Sequence, residues 1–131
     1  MQTSSEIKDT NLKQYSFAGR HLLASYEGCD EEVLCSASQC LDALKKAARA
    51  SHVTVVGENV QHFPNGAVTA MLLLAESHAS IHTYPEHKSC FVDFFTCGKG
   101  DISSFDEVLR ECLKPTKVDL KVIDRGNQRH Q

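Results

Sequence analysis

A strand-forming stretch in the middle of the chain decides the fold, and it reads Ala75-Glu76-Ser77-His78-Ala79-Ser80-Ile81-His82-Thr83-Tyr84-Pro85. After the loop at residues 85–89, a second β-rich stretch runs from Cys90 to Cys97 and ends in Phe94-Phe95-Thr96-Cys97-Gly98. Two such stretches joined by a loop of hairpin length predict paired antiparallel strands. The hairpin would bring together a hydroxyl, an imidazole and a thiol, so an enzyme is the first hypothesis.

The spacing within this hairpin predicts which side chains meet. If Tyr84 pairs with Cys90, then Ser77 lies opposite Cys97, at roughly 4.5 to 5.5 Å between paired residues. A shift of one residue would turn the thiol to the other face of the sheet. His82 lies roughly 16 Å along the strand from Ser77, with opposite face parity. Either the strand bends sharply at Ser77, or a second subunit supplies its His82.

The remaining segments complete the predicted order of elements. A strand is expected from Gln14 to Tyr26, and a helix from an Asp30 N-cap to about Arg49. Further strands are expected at Val53 to Val56 and Val68 to Ala75, separated by a turn at residues 64–66. A capping box of Ser104 and Glu107 predicts a second helix that ends before Pro115, and Val118 to Ile123 is the last predicted strand.

This order, β-α-β-β-β-β-α-β, predicts an α+β fold. The expected architecture is a two-layer sandwich in which two helices pack on one face of a mainly antiparallel sheet. A chain of 131 residues is expected to form a single domain over residues 1–131. That size is small for an enclosed active site, which favours a site formed between two subunits.

Composition and charge exclude several other classes of protein. The net charge of -3, with both signs mixed along the chain, leaves no basic stripe for nucleic acid. The longest apolar run, residues 67–75, is half a membrane span and no leader is apparent, so we expect a soluble, cytoplasmic protein without a membrane partner. Six cysteines without a Cys-x-x-Cys pair are expected to be reduced thiols.

A resemblance to a known family covers most of the chain, from Gly19-Arg20-His21-Leu22 to about Arg125-Gly126. Glu76-Ser77-His78, Ile81-His82-Thr83, the aromatic Tyr84, Pro85-Glu86 and Thr96-Cys97-Gly98 together resemble the signature of the prokaryotic, pyruvoyl-dependent S-adenosylmethionine decarboxylases. Each tripeptide alone would mean little, but their joint spacing is specific.

The resemblance implies a proenzyme that cleaves itself between Glu76 and Ser77. The Ser77 hydroxyl would attack the Glu76 carbonyl, leaving fragments 1–76 and 77–131, with a pyruvoyl group made from Ser77 as the only cofactor. That group would form a Schiff base with the amine of the substrate and act as the electron sink, without a metal or pyridoxal phosphate. Cys97 would return a proton in turnover, and His82 would be the acid or base of processing.

The same resemblance assigns supporting roles and implies a partner subunit. Thr69 stands where a serine hydroxyl usually supports processing, Phe63 and Tyr84 would contact the adenine, and Glu86 would bind the ribose. The family implies a homodimer of cleaved protomers with active sites at the interface. The product would be the aminopropyl donor for spermidine and other polyamines.

Departures from the family pattern keep alternatives open. The chain reads Ala67-Val68-Thr69-Ala70 where Gly-Val-Ser-Gly is common, and Lys88-Ser89-Cys90 where a Gly-aromatic-Ala segment is frequent. A pyruvoyl-dependent arginine or ornithine decarboxylase of the same fold is one alternative, and a non-cleaving ligand-binding or regulatory homologue is another. A metal site is disfavoured, because His78 and His82 on one extended strand lie about 13 Å apart.

Overall fold

The computed structural model describes residues 17–126, which form six strands and three helices. In chain order these are β1 (Ala18–Glu27), α1 (Glu31–Leu34), α2 (Ala37–Ala50), β2 (Val55–His62), β3 (Val68–Leu74), β4 (Ser77–Tyr84), β5 (Ser89–Thr96), α3 (Ile102–Leu113) and β6 (Lys117–Gly126). A 3₁₀ turn, Pro85–His87, lies between β4 and β5. Residues 14–16 of the predicted first strand lie outside the described range.

All six strands form one antiparallel sheet in the order β2-β3-β4-β5-β1-β6. The predicted α+β sandwich is therefore confirmed. The hairpin strands β4 and β5 lie at the centre of the sheet, and β1 lies between β5 and β6. Because β4 is central, its side chains have neighbours on both sides, which is the setting a positioned catalytic group requires.

The two faces of the sheet differ, and we call them the covered face and the bare face. Helices α2 and α3 pack on the covered face. Because successive side chains of a strand point to opposite faces, every second residue of a strand is buried against these helices. Leu22, Ile81 and Phe94 are fully buried there, and Phe94 stacks on Phe105 of α3 with ring centroids 4.1 Å apart. The bare face carries His82 and several exposed apolar side chains, and no described helix covers it.

The first predicted helix is interrupted. The structure has a short α1 and a longer α2, because Ser36 adopts an extended backbone (φ -105, ψ 111). Its hydroxyl accepts a hydrogen bond from the Gln39 N–H at 3.2 Å and begins α2 as an N-cap. The predicted apolar stripe is otherwise confirmed, since Leu34, Cys40 and Leu44 are buried.

Two other boundaries differ from the expectation. Helix α3 begins one turn earlier than Ser104, because the carboxylate of Asp101 accepts hydrogen bonds from both the N–H and the hydroxyl of Ser104. The cap is therefore Asp101, and α3 ends before Pro115 as predicted. Strand β2 continues to His62, well past Val56, because its backbone pairs with β3 although its side chains are mostly exposed.

None of the helices within residues 17–126 combines the length and the apolar character needed to cross a membrane.

Candidate active site

The turn between β3 and β4 places a strained peptide beside a buried hydroxyl. Leu74 pairs with Ser77, so only Ala75 and Glu76 form the turn. Glu76 adopts a left-handed backbone with φ 61, which costs a residue other than glycine about 1 to 3 kcal/mol. Ser77 is 7% exposed, and within the described residues its Oγ atom is buried without a hydrogen-bond partner. An unpaired hydroxyl next to a strained carbonyl is a nucleophile without a competing contact.

The register of the β4–β5 hairpin differs from the predicted one by one residue. Tyr84 pairs with Ser89 and Thr83 with Cys90, rather than Tyr84 with Cys90. The cause is the connection, in which a 3₁₀ turn is followed by Lys88 in the left-handed conformation (φ 52, ψ 38), so the strand resumes at Ser89. The pairing ends at His78 and Phe95, and extending this register by one step places Ser77 level with Thr96 instead of Cys97.

Cys97 is consequently not directly opposite Ser77. It follows the last residue of β5, is half-buried, and has the parity of the bare face, whereas Ser77 has the parity of the covered face. The chain then folds back tightly, with the Gly100 N–H donating to the Thr96 Oγ1 at 2.9 Å. A side chain at Gly100 would lie 2.7 Å from that same oxygen. This tight loop holds Cys97 at the Ser77 end of β4.

Thr69 and His82 meet on the bare face. They are paired residues of β3 and β4, and the Thr69 Oγ1 lies 3.1 Å from the His82 Nδ1. The hydrogen bond orients the imidazole and leaves Nε2 as the ring nitrogen available to another group. The extra methyl of threonine relative to serine therefore does not prevent this contact.

The remaining predicted site residues lie near this pair rather than near Ser77. Phe63 lies in the loop after β2, Tyr84 ends β4, and Glu86 lies in the following 3₁₀ turn, with all three exposed. The predicted residues therefore form two groups at opposite ends of β4, separated by roughly 16 Å of extended strand. Strand β4 pairs without a register shift with β3 from Ser77 and with β5 from His78, so no break in pairing brings His82 back toward its own Ser77.

Sequence reasoning missed several aromatic and charged residues of the bare face. The Phe95 ring stacks on His78 at 5.7 Å, contacts the edge of His21 at 6.0 Å, and lies 5.1 Å beneath the Arg125 guanidinium. At the other end Phe91 pairs with His82 and contacts Tyr84 with ring centroids 5.3 Å apart. The odd-numbered positions of β5 were a usable signal, because they place Phe91 and Phe95 on one face.

Burial changes the titration of His21 in this cluster. Desolvation lowers the pKa of His21, Asp93 opposes that shift, and Arg125 and His78 reinforce it. The His21 Nε2 is buried and has no hydrogen-bond partner in residues 17–126. His21 therefore favours the neutral imidazole more than a free histidine does.

Comparisons with known proteins agree with one another. The sequence profile of the family described as S-adenosylmethionine decarboxylase matches residues 20–126. An S-adenosylmethionine decarboxylase proenzyme of Hydrogenobaculum sp. (strain Y04AAS1) is 39% identical over 111 residues, which cover 82% of this chain and 81% of that protein. The proenzyme of Pyrobaculum islandicum is 36% identical over 111 residues, covering 82% of this chain and 88% of the relative.

A solved structure shows the same fold. The crystal structure of the adenosylmethionine decarboxylase from Aquifex aeolicus VF5 is similar to this chain with a TM-score of 0.77 and 30% sequence identity. The similarity covers 85% of this chain and 92% of that one.

Proposed function

Because the chain belongs to the S-adenosylmethionine decarboxylase family, we propose that it cleaves itself at Glu76–Ser77 and then decarboxylates S-adenosylmethionine, supplying an aminopropyl donor for polyamine synthesis. The observation that carries the proposal is the buried, unpaired Ser77 Oγ beside the left-handed Glu76. Proenzymes similar in sequence over most of their length support the assignment to this substrate.

The first step needs only atoms that the chain supplies. The Ser77 Oγ attacks the carbonyl carbon of Glu76, the C–N bond breaks, and the hydroxyl proton ends on the Ser77 nitrogen. Strain at Glu76 favours this acyl shift, because the ester product is freed from the tight turn. Removal of the Ser77 Cα proton then expels the Glu76 carboxylate and leaves a dehydroalanine, which takes up water and releases ammonia. The result is a pyruvoyl group at residue 77, joined to fragment 77–131.

A base must remove that Cα proton, and we assign it to His82 of a second copy of the chain. Within one protomer, Ser77 and the Thr69–His82 pair lie at opposite ends of β4. With the two bare faces packed against each other, a two-fold axis parallel to the sheets and perpendicular to β4 would place the His82 end of one protomer over the Ser77 end of the other. Each active site would then combine Ser77 and Cys97 of one protomer with Thr69 and His82 of its partner.

The bare face has the composition that such an association requires. Leu73 is 59% exposed, Phe91 51%, and Met71 and Ile123 48% each. Apolar side chains concentrated on one sheet face mark an interaction surface. We therefore propose a homodimer that packs through this face, with both active sites inside the interface.

In turnover, the pyruvoyl carbonyl supplies an electron sink for loss of the substrate carboxylate as carbon dioxide. Cys97 is at the Ser77 end and half-buried, where its thiol can return a proton to the substrate carbon. At the other end, the exposed Phe63 and Tyr84 rings offer stacking surfaces for adenine, and Glu86 offers a carboxylate for ribose hydroxyls. Six cysteines without a disulfide are consistent with the cytoplasm, which we propose as the location.

The decisive test uses two serines of the same strand. Ser77→Ala is expected to give one intact band on denaturing electrophoresis and no carbon dioxide release. Ser80→Ala removes a hydroxyl from an equally buried position of β4 and is expected to give fragments 1–76 and 77–131, as the wild type does. An active, uncleaved Ser77→Ala protein would refute the proposal.

Two further measurements test the substrate and the shared site. Carbon dioxide release is expected from S-adenosylmethionine, and comparable release from arginine or ornithine would reassign the enzyme. Chains carrying Ser77→Ala and chains carrying His82→Ala are each expected to be inactive, but refolding them together should restore cleavage in mixed dimers. Failure of every mixture to cleave would exclude a shared site.

The proposed role of Cys97 in turnover has its own test. Cys97→Ala should still cleave but should release carbon dioxide slowly. Cys112→Ala, which removes another half-buried thiol, is the control and should keep both cleavage and turnover.

A further inference from the structure

Two cysteines that the proposed mechanism does not use lie together beneath β1 and β5. Strand β1 ends at Glu27, and Gly28 (φ 70) then turns the chain under the sheet, in a turn where a Cβ would overlap the Thr116 hydroxyl. The Cys29 N–H donates to the Lys88 carbonyl at 2.8 Å. The Cys29 thiol lies 3.5 Å from the carbonyl oxygen of Tyr26, the residue paired directly with Cys90.

The two thiols lie in a dry environment. Cys29 is 4% exposed and Cys90 is fully buried. The Cys29 thiol donates to the carbonyl of Tyr26, and Tyr26 pairs directly with Cys90, so both cysteines lie beside the same residue. Interaction with Cys90 lowers the pKa of the Cys29 thiol against the effect of burial, whereas the same interaction and burial raise the pKa of Cys90. Cys29 is therefore the more readily ionised thiol of the two.

We propose that Cys29 and Cys90 form an oxidisable dithiol whose disulfide ties together the two fragments that self-cleavage produces. Cys29 precedes the Glu76–Ser77 bond and Cys90 follows it. A bridge between them closes a loop that contains the scissile bond, so cleavage of the oxidised chain cannot release either fragment. The pairing of the thiols stands without the proposed function, whereas the linking of fragments rests on it.

The oxidation is balanced with a peroxide as the two-electron oxidant. The Cys29 thiolate attacks one oxygen of hydrogen peroxide, breaking the O–O bond, and gives a sulfenic acid and one water after protonation. The Cys90 sulfur then attacks the Cys29 sulfur, its proton leaves with the hydroxyl as a second water, and the S–S bond forms. Two thiols are oxidised, and one peroxide is reduced to two waters.

The other thiols are placed differently, which makes the proposed pair specific. Cys40 is also buried near Cys90, but its thiol donates to the Val33 carbonyl at 3.2 Å, and burial raises its pKa to about 12. Cys35, Cys97 and Cys112 are half-buried. Cys40 is thus the competing partner that an experiment must separate from Cys29.

The experiment treats the purified, self-cleaved protein with hydrogen peroxide, blocks free thiols with iodoacetamide during unfolding, and compares denaturing gels with and without reductant. We expect one band at the mobility of the full chain without reductant and two bands with it. Mass spectrometry should find a peptide in which Cys29 is joined to Cys90. Cys29→Ser and Cys90→Ser should each abolish the joined band, whereas Cys40→Ser and Cys112→Ser should keep it.

Several results would overturn the pairing. These are six alkylated thiols after oxidation of the native protein, a joined band that Cys40→Ser abolishes, or a bridge that forms only after prior unfolding. If the chain proves not to cleave, one band appears with or without reductant. In that case the proposed function fails, but the joined peptide still decides whether Cys29 and Cys90 pair, so the two failures are distinguishable.

Discussion

The covered and bare faces of the sheet are built from the same strands but have opposite chemistry. On β4, Ile81 is fully buried against the helices while the next residue, His82, is exposed on the other side. Because successive side chains of a strand alternate, each strand contributes to both faces. The covered face accounts for most of the apolar burial, and the bare face carries the Thr69–His82 pair proposed for processing and the apolar side chains proposed for association. Substitutions on the two faces should therefore affect different measurements.

The largest expected effect lies on the bare face. His82→Ala removes the proposed processing base and should slow the appearance of fragments by about 10² to 10⁴-fold, as followed by denaturing electrophoresis. The free energy of unfolding should change little, because His82 is exposed. His62→Ala, which changes another exposed histidine at the end of the edge strand β2, is the matched control and should cleave normally. If His82→Ala lowered the free energy of unfolding as a buried substitution does, its slow cleavage could be a folding defect, and the distinction between the faces would fail.

The next effect lies on the covered face. Leu109 of α3 is fully buried, so Leu109→Ala should lower the free energy of unfolding by about 2 to 5 kcal/mol. The measurement is urea unfolding in an uncleaved Ser77→Ala background, where one chain unfolds. Leu73→Ala, from the bare face, should cost the protomer less than about 0.5 kcal/mol while weakening dimers in sedimentation experiments. A large loss of protomer stability from Leu73→Ala would contradict the comparison.

A smaller effect is expected from the one buried carboxylate of the covered face in residues 17–126. Asp106 accepts a hydrogen bond from the Tyr26 hydroxyl at 2.6 Å and one from the Arg110 Nε at 2.9 Å. Tyr26→Phe leaves one carboxylate oxygen unpaired and should lower the free energy of unfolding by about 1 to 3 kcal/mol. Tyr84→Phe removes an exposed hydroxyl, and urea unfolding should be unchanged. A neutral Tyr26→Phe would show that water replaces the lost donor.

The smallest effect concerns pH and the bare face. Since burial lowers the pKa of His21 below its ordinary value of 6.5, the unfolded chain takes up a proton near that pH that the folded chain does not. The contribution of neutral His21 to the free energy of unfolding is therefore fully present above about pH 7 and is lost as the pH drops through 6.5. His21→Gln should reduce this loss between pH 7.5 and pH 5.5 in urea unfolding. His87→Gln, at an exposed position, is the control and should keep the dependence of the wild type.

Local patterns predicted the order of elements well, and their ends less well. The apolar spacing predicted a buried helical stripe that includes Leu34, Cys40 and Leu44. It did not predict the break at Ser36, because apolar spacing carries no information about a side-chain cap. Asp101 was missed in favour of Ser104 for a similar reason, since both residues are good capping types. The length of β2 was underestimated because its exposed side chains lack the alternation of a half-buried strand.

The membership of the candidate site stays a prediction, and its arrangement differs in part from the one that the sequence predicted. Motif spacing identified Ser77, His82 and Cys97, and the opposite face parity of Ser77 and His82 is confirmed by their burial. The opposition of Ser77 and Cys97 was wrong, because the hairpin register depends on Lys88 adopting a left-handed backbone. The Thr69–His82 contact required the pairing of β3 with β4, which no local pattern specifies.

The sequence by itself determined the alternation of each strand, the helical stripes and the family signature, because these depend on neighbours close along the chain. Tertiary structure decided the register of the central hairpin, the separation of Ser77 from His82 along β4, and the meeting of Cys29 with Cys90. Those contacts join residues far apart in sequence, and they form only when the packing of the whole sheet compensates the entropy of closing the intervening loops.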